Sequence, residues 1–325
     1  MLIPPHYQLT STLSQLLSTI EANSQVINSI TIPPEVETNI RRQSTLKSSL
    51  FSARIEGNNL TLKDLESPSR TQKKLEVSNL LKAYNYQASN KKDLTLNDLL
   101  SYHKIALDGL TDTPGHFRTN HEAIFNSAGI AIYMPPPPRL IIANLSKLLK
   151  YLNSGKEPLI VIKACLGHYI FEKIHPFLDG NGRVGRLFLQ RILNRQGYGF
   201  KHLVSLEEYL DTHRSEYYRA LDTPERDVTD YLEFMLQAIA HTTTEAKNLV
   251  IQKQTADFLD YLLPRRAEIY QIVKDHKLID FESLHRRFLT INPRTLRYDL
   301  KKLQDSGLIR KRGTTRGVYY EIAKS

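Results

Sequence analysis

The sequence predicts a mainly α-helical protein, interrupted by one β-hairpin and closed by a small basic winged helix-turn-helix module. Three observations carry this. Apolar residues recur at helical spacing through most of the chain up to residue 260, strand-like patterning within that span is confined to residues 122–133, and beyond Leu263-Pro264 the pattern becomes three short helices and a hairpin. A length of 325 residues exceeds what one hydrophobic core usually supports, so two or three units are expected.

Taken in order, Pro4-Pro5, Pro33-Pro34 and Pro68 bracket stretches apolar at helical spacing over 8–27, 45–55 and 72–88. A further helix over 96–107 ends near Asp108-Gly109, and Pro114-Gly115 marks a turn. Residues 122–133 are rich in Ile, Phe and Ala, with turn chemistry at 126–129, and they stop at four prolines, Pro135 to Pro138. This reads as a β-hairpin followed by a stiff, extended segment in which helix is forbidden. Helical periodicity resumes over 140–152, 159–174 and 183–195, the last closed by Gly197, and continues over 206–221 and 229–253. In the C-terminal part the spacing predicts helices at 265–274, 281–287 and 293–306 and strands at 308–313 and 317–322, the order of a winged helix-turn-helix. Asn292 is a natural N-cap with Pro293 at the first helical position, and Gly307 is a natural stop. That last helix would bury Leu296, Leu300 and Leu303, leave Arg294, Arg297, Tyr298 and Lys301 outside, and be followed by a wing carrying Lys311, Arg312 and Arg316.

Composition narrows the class. With 41% apolar and 24% charged residues the chain is that of a folded globular protein. Cys165 is its only cysteine, which rules out an intrachain disulfide and a cysteine-rich zinc site and suits a reducing cytoplasm. The N-terminus lacks a basic segment followed by an apolar one, and the most apolar stretch, 159–171, carries Lys163 and His168 and is too short to span a bilayer, so neither export nor membrane insertion is expected. The net charge of +10 is concentrated: residues 264–325 hold 15 Lys and Arg against 7 Asp and Glu. A compact basic module is a candidate for binding a polyanion such as duplex DNA, and winged helices also serve as protein-binding modules.

The chemistry sits between two predicted helices, in His175-Pro176-Phe177-Leu178-Asp179-Gly180-Asn181-Gly182-Arg183, with Arg186 one turn further on. Gly180 and Gly182 let backbone N–H groups turn toward an anion, and the following helix adds its own free N–H groups and the positive end of its dipole: a phosphate cradle. Arg183 and Arg186, three apart, would project from one face and hold two different phosphates. Asp179, the only carboxylate of the loop, supplies the hard oxygen that Mg²⁺ takes beside phosphates. Pro176 pulls His175 out of helical geometry and presents its imidazole as a base, and Phe177 is an apolar plug fastening the loop to the core. The eight fixed positions of H-x-F-x-D-G-N-G-R-x-x-R would coincide by chance with a probability on the order of one in 10⁸ for a chain this long.

These residues resemble the signature of the Fic (filamentation induced by cAMP) family. The resemblance implies a Fic helical bundle with a β-hairpin flap, preceded by an N-terminal helical region, and transfer of AMP from ATP to a Ser, Thr or Tyr hydroxyl with release of pyrophosphate. It makes His175 the general base, Asp179 the Mg²⁺ ligand, Gly180, Asn181, Gly182 and Arg183 the anion hole, and Arg186 the clamp of the γ-phosphate. Relatives that transfer phosphate instead carry a lysine in place of the second glycine, so Gly182 favours nucleotidyl transfer. Residues 119–135, after Gly115-His116-Phe117-Arg118, are similar in placement to the flap that pins a target segment by strand addition. Tyr217-Tyr218 resembles an aromatic pair that lines the adenine pocket, and core packing accounts for it equally well.

Ser52-Ala53-Arg54-Ile55-Glu56-Gly57 resembles the S/T-x-x-x-E-G/N inhibitory motif of one class of the family. Ser52 and Glu56 lie four apart on one helical face, and pairing of Glu56 with Arg186 would remove the cation that orients the γ-phosphate. The expected organisation is therefore a helical region with the inhibitory helix over 1–90, a Fic catalytic core over 91–255 and a winged helix-turn-helix over 256–325. The expected activity is AMPylation of a hydroxyl-bearing protein target or of the chain itself. Removal of AMP from a target through a water aligned by Glu56, and a DNA-binding regulator whose core senses nucleotide, are the alternatives, and a homodimer is compatible with the family pattern.

Overall fold

The computed structural model describes residues 1–65, 71–88, 93–125, 131–253, 262–288, 291–313 and 317–323. Helices α1 (Ser11–Ser29), α2 (Pro34–Ile55), α3 (Leu62–Leu65), α4 (Gln72–Ala88) and α5 (Leu96–Ala106) precede an antiparallel ribbon of β1 (Ile124–Phe125) and β2 (Ala131–Tyr133). A 3₁₀ turn at Pro138–Leu140 leads into α6 (Ile141–Asn153), α7 (Ile160–Ile174) and α8 (Asn181–Arg195), and a second, Phe200–His202, into α9 (Leu206–Thr212), α10 (Arg214–Leu221) and α11 (Thr229–Gln252). The chain ends with α12 (Pro264–His276), β3 (Ile279–Asp280), α13 (Phe281–His285), α14 (Pro293–Asp305), β4 (Ile309–Arg312) and β5 (Tyr319–Ile322).

Two compact units result, one from Met1–Ile30, Arg41–Leu65 and the described part of Arg70–Ile251, the other from Thr31–Ile40 and the described part of Gln252–Ser325. The first is built around α7, which has no polar face: every residue from Val161 to Phe171 is buried, so the helix must be enclosed by others. Lys163 is tolerated there because its Nζ donates to the Ser154 carbonyl at 2.9 Å. α8 packs on α7 through Phe188 and Phe171, whose rings lie 5.7 Å apart. α5 is started by a reciprocal capping box between Thr95 and Asp98. No helix among the described residues is long and apolar enough to cross a membrane.

In the second unit the strands form an antiparallel sheet in the order β3-β5-β4. Asn292 caps α14 through its side chain with Pro293 at the first position, and Gly307, at φ 70°, ends it, as the local sequence predicts. Leu296, Leu300 and Leu303 are buried with Ile269, Val273 and Leu284, whereas Arg294, Arg297, Tyr298 and Lys301 are exposed. The buried Asp299 accepts from Arg265 and Arg266 Nε, which is how a carboxylate survives on the inner face of that helix. Arg316 lies outside the described residues.

The structure departs from the sequence reading in three places. α2 starts eleven residues before the expected Thr45, at Pro34, a first helical position that proline suits, and the added turns bury Val36 and Ile40, four residues apart. The single helix expected over 206–221 breaks at His213, where the ring stacks on Tyr209 and Nδ1 lies 3.0 Å from the Tyr209 carbonyl, closing α9 before α10 begins. The fourth proline of the run opens a 3₁₀ turn, a position where its missing N–H costs nothing. The turn of the hairpin, 126–130, lies outside the described residues, and its two strands pair as Ile124↔Tyr133 and Phe125↔Ala131 across a bulge.

Candidate active site

The loop between α7 and α8 is fixed from several sides. α7 ends with His175 in the left-handed region, at φ 48° and ψ 62°, instead of the extended conformation expected before a proline. Its N–H still closes the helix on the Phe171 carbonyl at 3.0 Å, so the turn places the imidazole at the end of α7 without fraying it. Phe177 is fully buried and stacks face to face on His103 of α5 at 3.9 Å. Asn181 Nδ2 donates to the Phe177 carbonyl at 2.8 Å and its Oδ1 accepts from the Phe177 N–H at 2.9 Å. The Asn181 side chain therefore staples the loop rather than facing an anion, and what it offers an anion is its backbone at the start of α8.

Gly180 begins α8 at φ 81°, and a Cβ there would meet the Leu107 side chain at 2.6 Å, so both conformation and space demand glycine. No side chain caps α8, leaving the first N–H groups of the helix without a capping partner. A Cβ on Gly182 would lie 2.4 Å from Glu56 Oε1 and 3.0 Å from Arg186 Nη1: the room that this glycine leaves is filled by the Glu56 carboxylate.

The two arginines diverge instead of sharing a face. Arg186 is buried and turned to α2, with Nε donating to Ser52 Oγ at 3.0 Å and Nη2 to the Ser52 carbonyl and to Glu56 Oε1, both at 2.8 Å. Arg183 is turned to α4 and the loop, with Nη1 donating to Glu76 Oε1 at 2.7 Å and Nη2 to Asp179 Oδ1 at 2.6 Å. Asp179 also accepts on Oδ1 from the Gly180 N–H, and its carboxylate is about half exposed (55%). A single half-exposed carboxylate next to a phosphate cradle fits Mg²⁺ that keeps most of its ligands as water and phosphate oxygens. Among the described residues no group of three or more His, Cys, Asp or Glu could hold a metal by itself.

Burial pushes the His175 imidazole down to about 4, so at neutral pH the ring is in the form that accepts a proton. The same cause pushes the Glu172 carboxyl, at the inner side of α7, up to about 8. Glu172 fills the space beside Gly185, where a Cβ would come within 1.9 Å of its Oε1.

Tyr217 and Tyr218 separate. Tyr217 is buried in the core, its hydroxyl 2.8 Å from His168 Nε2, so it does not line an open pocket. Tyr218 is 47% exposed and its hydroxyl donates to the Ile55 carbonyl at 3.2 Å, at the end of α2. Arg214 Nη2 donates to the neighbouring Arg54 carbonyl at 2.7 Å, so α10 holds the segment that carries Glu56.

Three supporting residues were not singled out from the sequence. Glu76 pairs with Arg183. His103 accepts the Gly115 N–H on Nδ1 at 2.8 Å, which makes Nε2 the protonated nitrogen that donates to the Asp179 carbonyl at 3.0 Å. Arg118 donates to the His175, Asn120 and Pro136 carbonyls at 2.7, 2.8 and 2.6 Å and ties the loop to the segment flanking the ribbon. Only Arg118 left a trace, in Gly115-His116-Phe117-Arg118. Glu76 and His103 sit on helices with no local pattern around them.

Residues 93–193 match the model of the Fic/DOC family. Over 218 residues the chain is 26% identical to the protein adenylyltransferase Fic of Drosophila melanogaster, covering 62% of this chain and 42% of that protein. It is 28% identical over 173 residues to the protein of that name from Drosophila yakuba, covering 49% and 34%. The chain thus spans less than half the length of these curated relatives. Among solved structures, a Fic family protein from Desulfovibrio desulfuricans G20 superposes with a TM-score of 0.68 at 24% identity, over 99% of this chain and 98% of that one. Fic-1 from C. elegans superposes at 0.62 and 21% identity, over 75% and 73%. The fold is that of Fic proteins, and 93–193 is a Fic/DOC-family domain that contains the whole loop from His175 to Arg186. Ser52 and Glu56 lie outside the matched residues.

Proposed function

We propose that this chain, through its Fic/DOC-family domain, is a protein adenylyltransferase that moves AMP from ATP to a Ser, Thr or Tyr hydroxyl of a target protein or of itself, and that Glu56 holds it in check. One observation carries the reading: the Glu56 carboxylate is lodged against Gly182 and bonded to Arg186 at 2.8 Å, so an anion already lies where the glycines, the start of α8 and a buried guanidinium converge. A terminal phosphate has the same charge preference and would compete for that place.

With Glu56 displaced, Arg186 binds the γ-phosphate and the backbone of Gly180 to Arg183 takes the α- and β-phosphate oxygens. Asp179 would hold Mg²⁺, whose charge offsets that developing on the phosphoryl oxygens. His175 removes the proton of the target hydroxyl, whose oxygen bonds to the α-phosphorus while the bond to pyrophosphate breaks on the opposite side. Arg183 exchanges its bond to Glu76 or Asp179 for the nucleotide. The β1–β2 ribbon is read as the flap: Tyr133 at its end donates to the Lys173 carbonyl at 2.8 Å, which seats it two residues from His175, and an added strand of the target would bring a hydroxyl there. Removal of AMP from a modified target is the alternative: a water aligned by Glu56 would attack the phosphorus of the AMP ester, its oxygen bonding to phosphorus while the bond to the target's oxygen breaks and that oxygen regains a proton.

The test is transfer of label from α-³²P-ATP and Mg²⁺ by the native chain and by Glu56→Gly. Labelled protein from the variant alone supports the reading. Label arriving from γ-³²P-ATP instead would make the enzyme a kinase.

A second reading concerns the second unit. α14 presents Arg294, Arg297, Lys301 and Lys302 on its exposed side, and β4 adds Arg310, Lys311 and Arg312. We read this basic face as one that would suit a winged helix whose third helix enters a major groove of duplex DNA.

A further inference from the structure

A cavity of about 220 Å³ lies within the first unit, between α2, α4, α8, α11 and the turn that follows α8. None of its lining residues belongs to the 175–186 loop. Its apolar part is Leu193, Phe200, Val204, Leu206 and Ile239. Its polar part includes Arg41, Thr45 and Ser48 of α2, Gln190 and Asn194 of α8, and His202, with Asn85, Tyr84 and Tyr198 completing the wall.

Three features distinguish it from a packing gap. The first is its size: it exceeds the cavity of about 150 Å³ that admits benzene in an engineered protein core. The second is the backbone at its edge. Phe200, Lys201 and His202 stand consecutively at φ 45°, 52° and 59°, all in the left-handed region and none of them glycine. This turn is held by α2, with Arg41 Nε donating to the Lys201 carbonyl at 3.2 Å and Ser44 Oγ to the Leu203 carbonyl at 3.0 Å. Sidechain-bearing residues remain in such conformations only where their surroundings over-determine them, and such places concentrate at ligand sites. The third is an unspent donor: the Nδ2 of Asn194 is buried and has no hydrogen-bond partner.

The lining also selects charge. No Asp or Glu lines the cavity, and Arg41 is its one formal charge, because burial and the neighbouring Arg41 lower the pKa of His202 and keep that ring neutral. Glu207 stands behind the wall, accepting from Tyr84 at 2.7 Å and Gln190 at 2.9 Å, and its own burial favours the uncharged acid. An apolar floor, a cation and an amide N–H in need of an acceptor are complementary to a small molecule with a hydrocarbon body and one anionic head.

We infer that this cavity is a second binding site, separate from the phosphate-binding loop, for a small aromatic or branched-chain carboxylic acid whose ring rests on Phe200 and Leu206 and whose carboxylate meets Arg41 and the Asn194 amide. The site stands whatever reaction the loop performs.

Benzoate and benzamidinium, alike in shape and opposite in charge, test it by calorimetric or ligand-observed NMR titration of the full chain. Benzoate binds saturably at one site per chain, benzamidinium binds at least about tenfold more weakly, and excess ATP does not displace benzoate. Arg41→Gln and Asn194→Leu each lower the benzoate affinity about tenfold, the loss expected for one charge-assisted or buried hydrogen bond, while Arg41→Lys retains most of it. The inference is overturned by absence of saturable benzoate binding up to about 10 mM, by equal binding of benzamidinium, by displacement with ATP, or by an affinity that neither cavity variant moves.

Discussion

Replacing Glu56 by glycine removes one carboxylate from a buried arginine, and the size of the effect follows from the geometry. Glu56 bonds Arg186 at 2.8 Å, with 27% of the Glu56 side chain and 1% of the Arg186 side chain exposed. A hydrogen bond between charged groups in such surroundings is worth about 1.5–3 kcal/mol net. If that energy holds the nucleotide-incompetent arrangement, the competent population in the native chain is about a tenth to a hundredth, and its release raises transfer by about 10- to 100-fold. The assay is the initial rate of protein labelling from α-³²P-ATP at saturating Mg²⁺, with native chain and variant at equal concentration. Glu56→Gln, which keeps the volume against Gly182 and loses the charge, should fall between them. The variant should also melt earlier than the native chain without nucleotide, since the buried Arg186 then loses its ion pair with Glu56, and recover on adding MgATP. A Glu56→Gly rate equal to the native one, with the variant folded and binding ATP, would refute the competitive account.

Further outcomes follow from other contacts. In the Glu56→Gly background, His175→Ala should lower transfer by about 10²–10⁴-fold and leave the calorimetric affinity for ATP unchanged. Because burial holds His175 at about 4, below the ordinary 6.5, the base stays neutral as pH falls; the transfer rate of Glu56→Gly should stay level from pH 8 to about 5 and decline with a midpoint near 4, whereas a midpoint near 6.5 would mean an exposed base. Asn181→Leu should cost about 2 kcal/mol of stability in chemical denaturation, since it leaves both backbone groups of Phe177 unpaired inside the protein. For the basic face of α14, a gel shift of the full chain on duplex DNA should weaken steeply with salt and be reduced by Arg294→Ala with Arg297→Ala; salt-independent binding would point to another partner.

The loop was legible because its chemistry is local. His175, Asp179, Gly180, Gly182, Arg183 and Arg186 fall within twelve residues, so the whole pattern is read without knowing the fold. Ser52 and Glu56 were legible for the same reason, since four residues apart on a helix means one face, and the structure brings both to Arg186. The supporting contacts are distant in sequence. Glu76 reaches Arg183 across 107 positions and His103 reaches Asp179 across 76, and no periodicity encodes such pairs. Asn181 shows the converse limit: the motif names the residue, but the direction of its side chain depends on the Phe177 backbone that it grips. Helix boundaries failed where a side chain overrides periodicity, as His213 does by stacking on Tyr209, and the left-handed turn at Phe200–His202 carries no glycine or asparagine to announce it.

In the proposed mechanism this loop aims the innermost phosphorus of a nucleotide at an alcohol. Mass spectrometry of Glu56→Gly after incubation with ATP, Mg²⁺ and cell lysate measures this directly, because donor fragment and acceptor atom are read together. AMP attached to a Ser, Thr or Tyr oxygen, and absent when His175 is replaced, is the predicted result. A bare phosphate in its place, or adducts that persist in the His175→Ala protein, would contradict it.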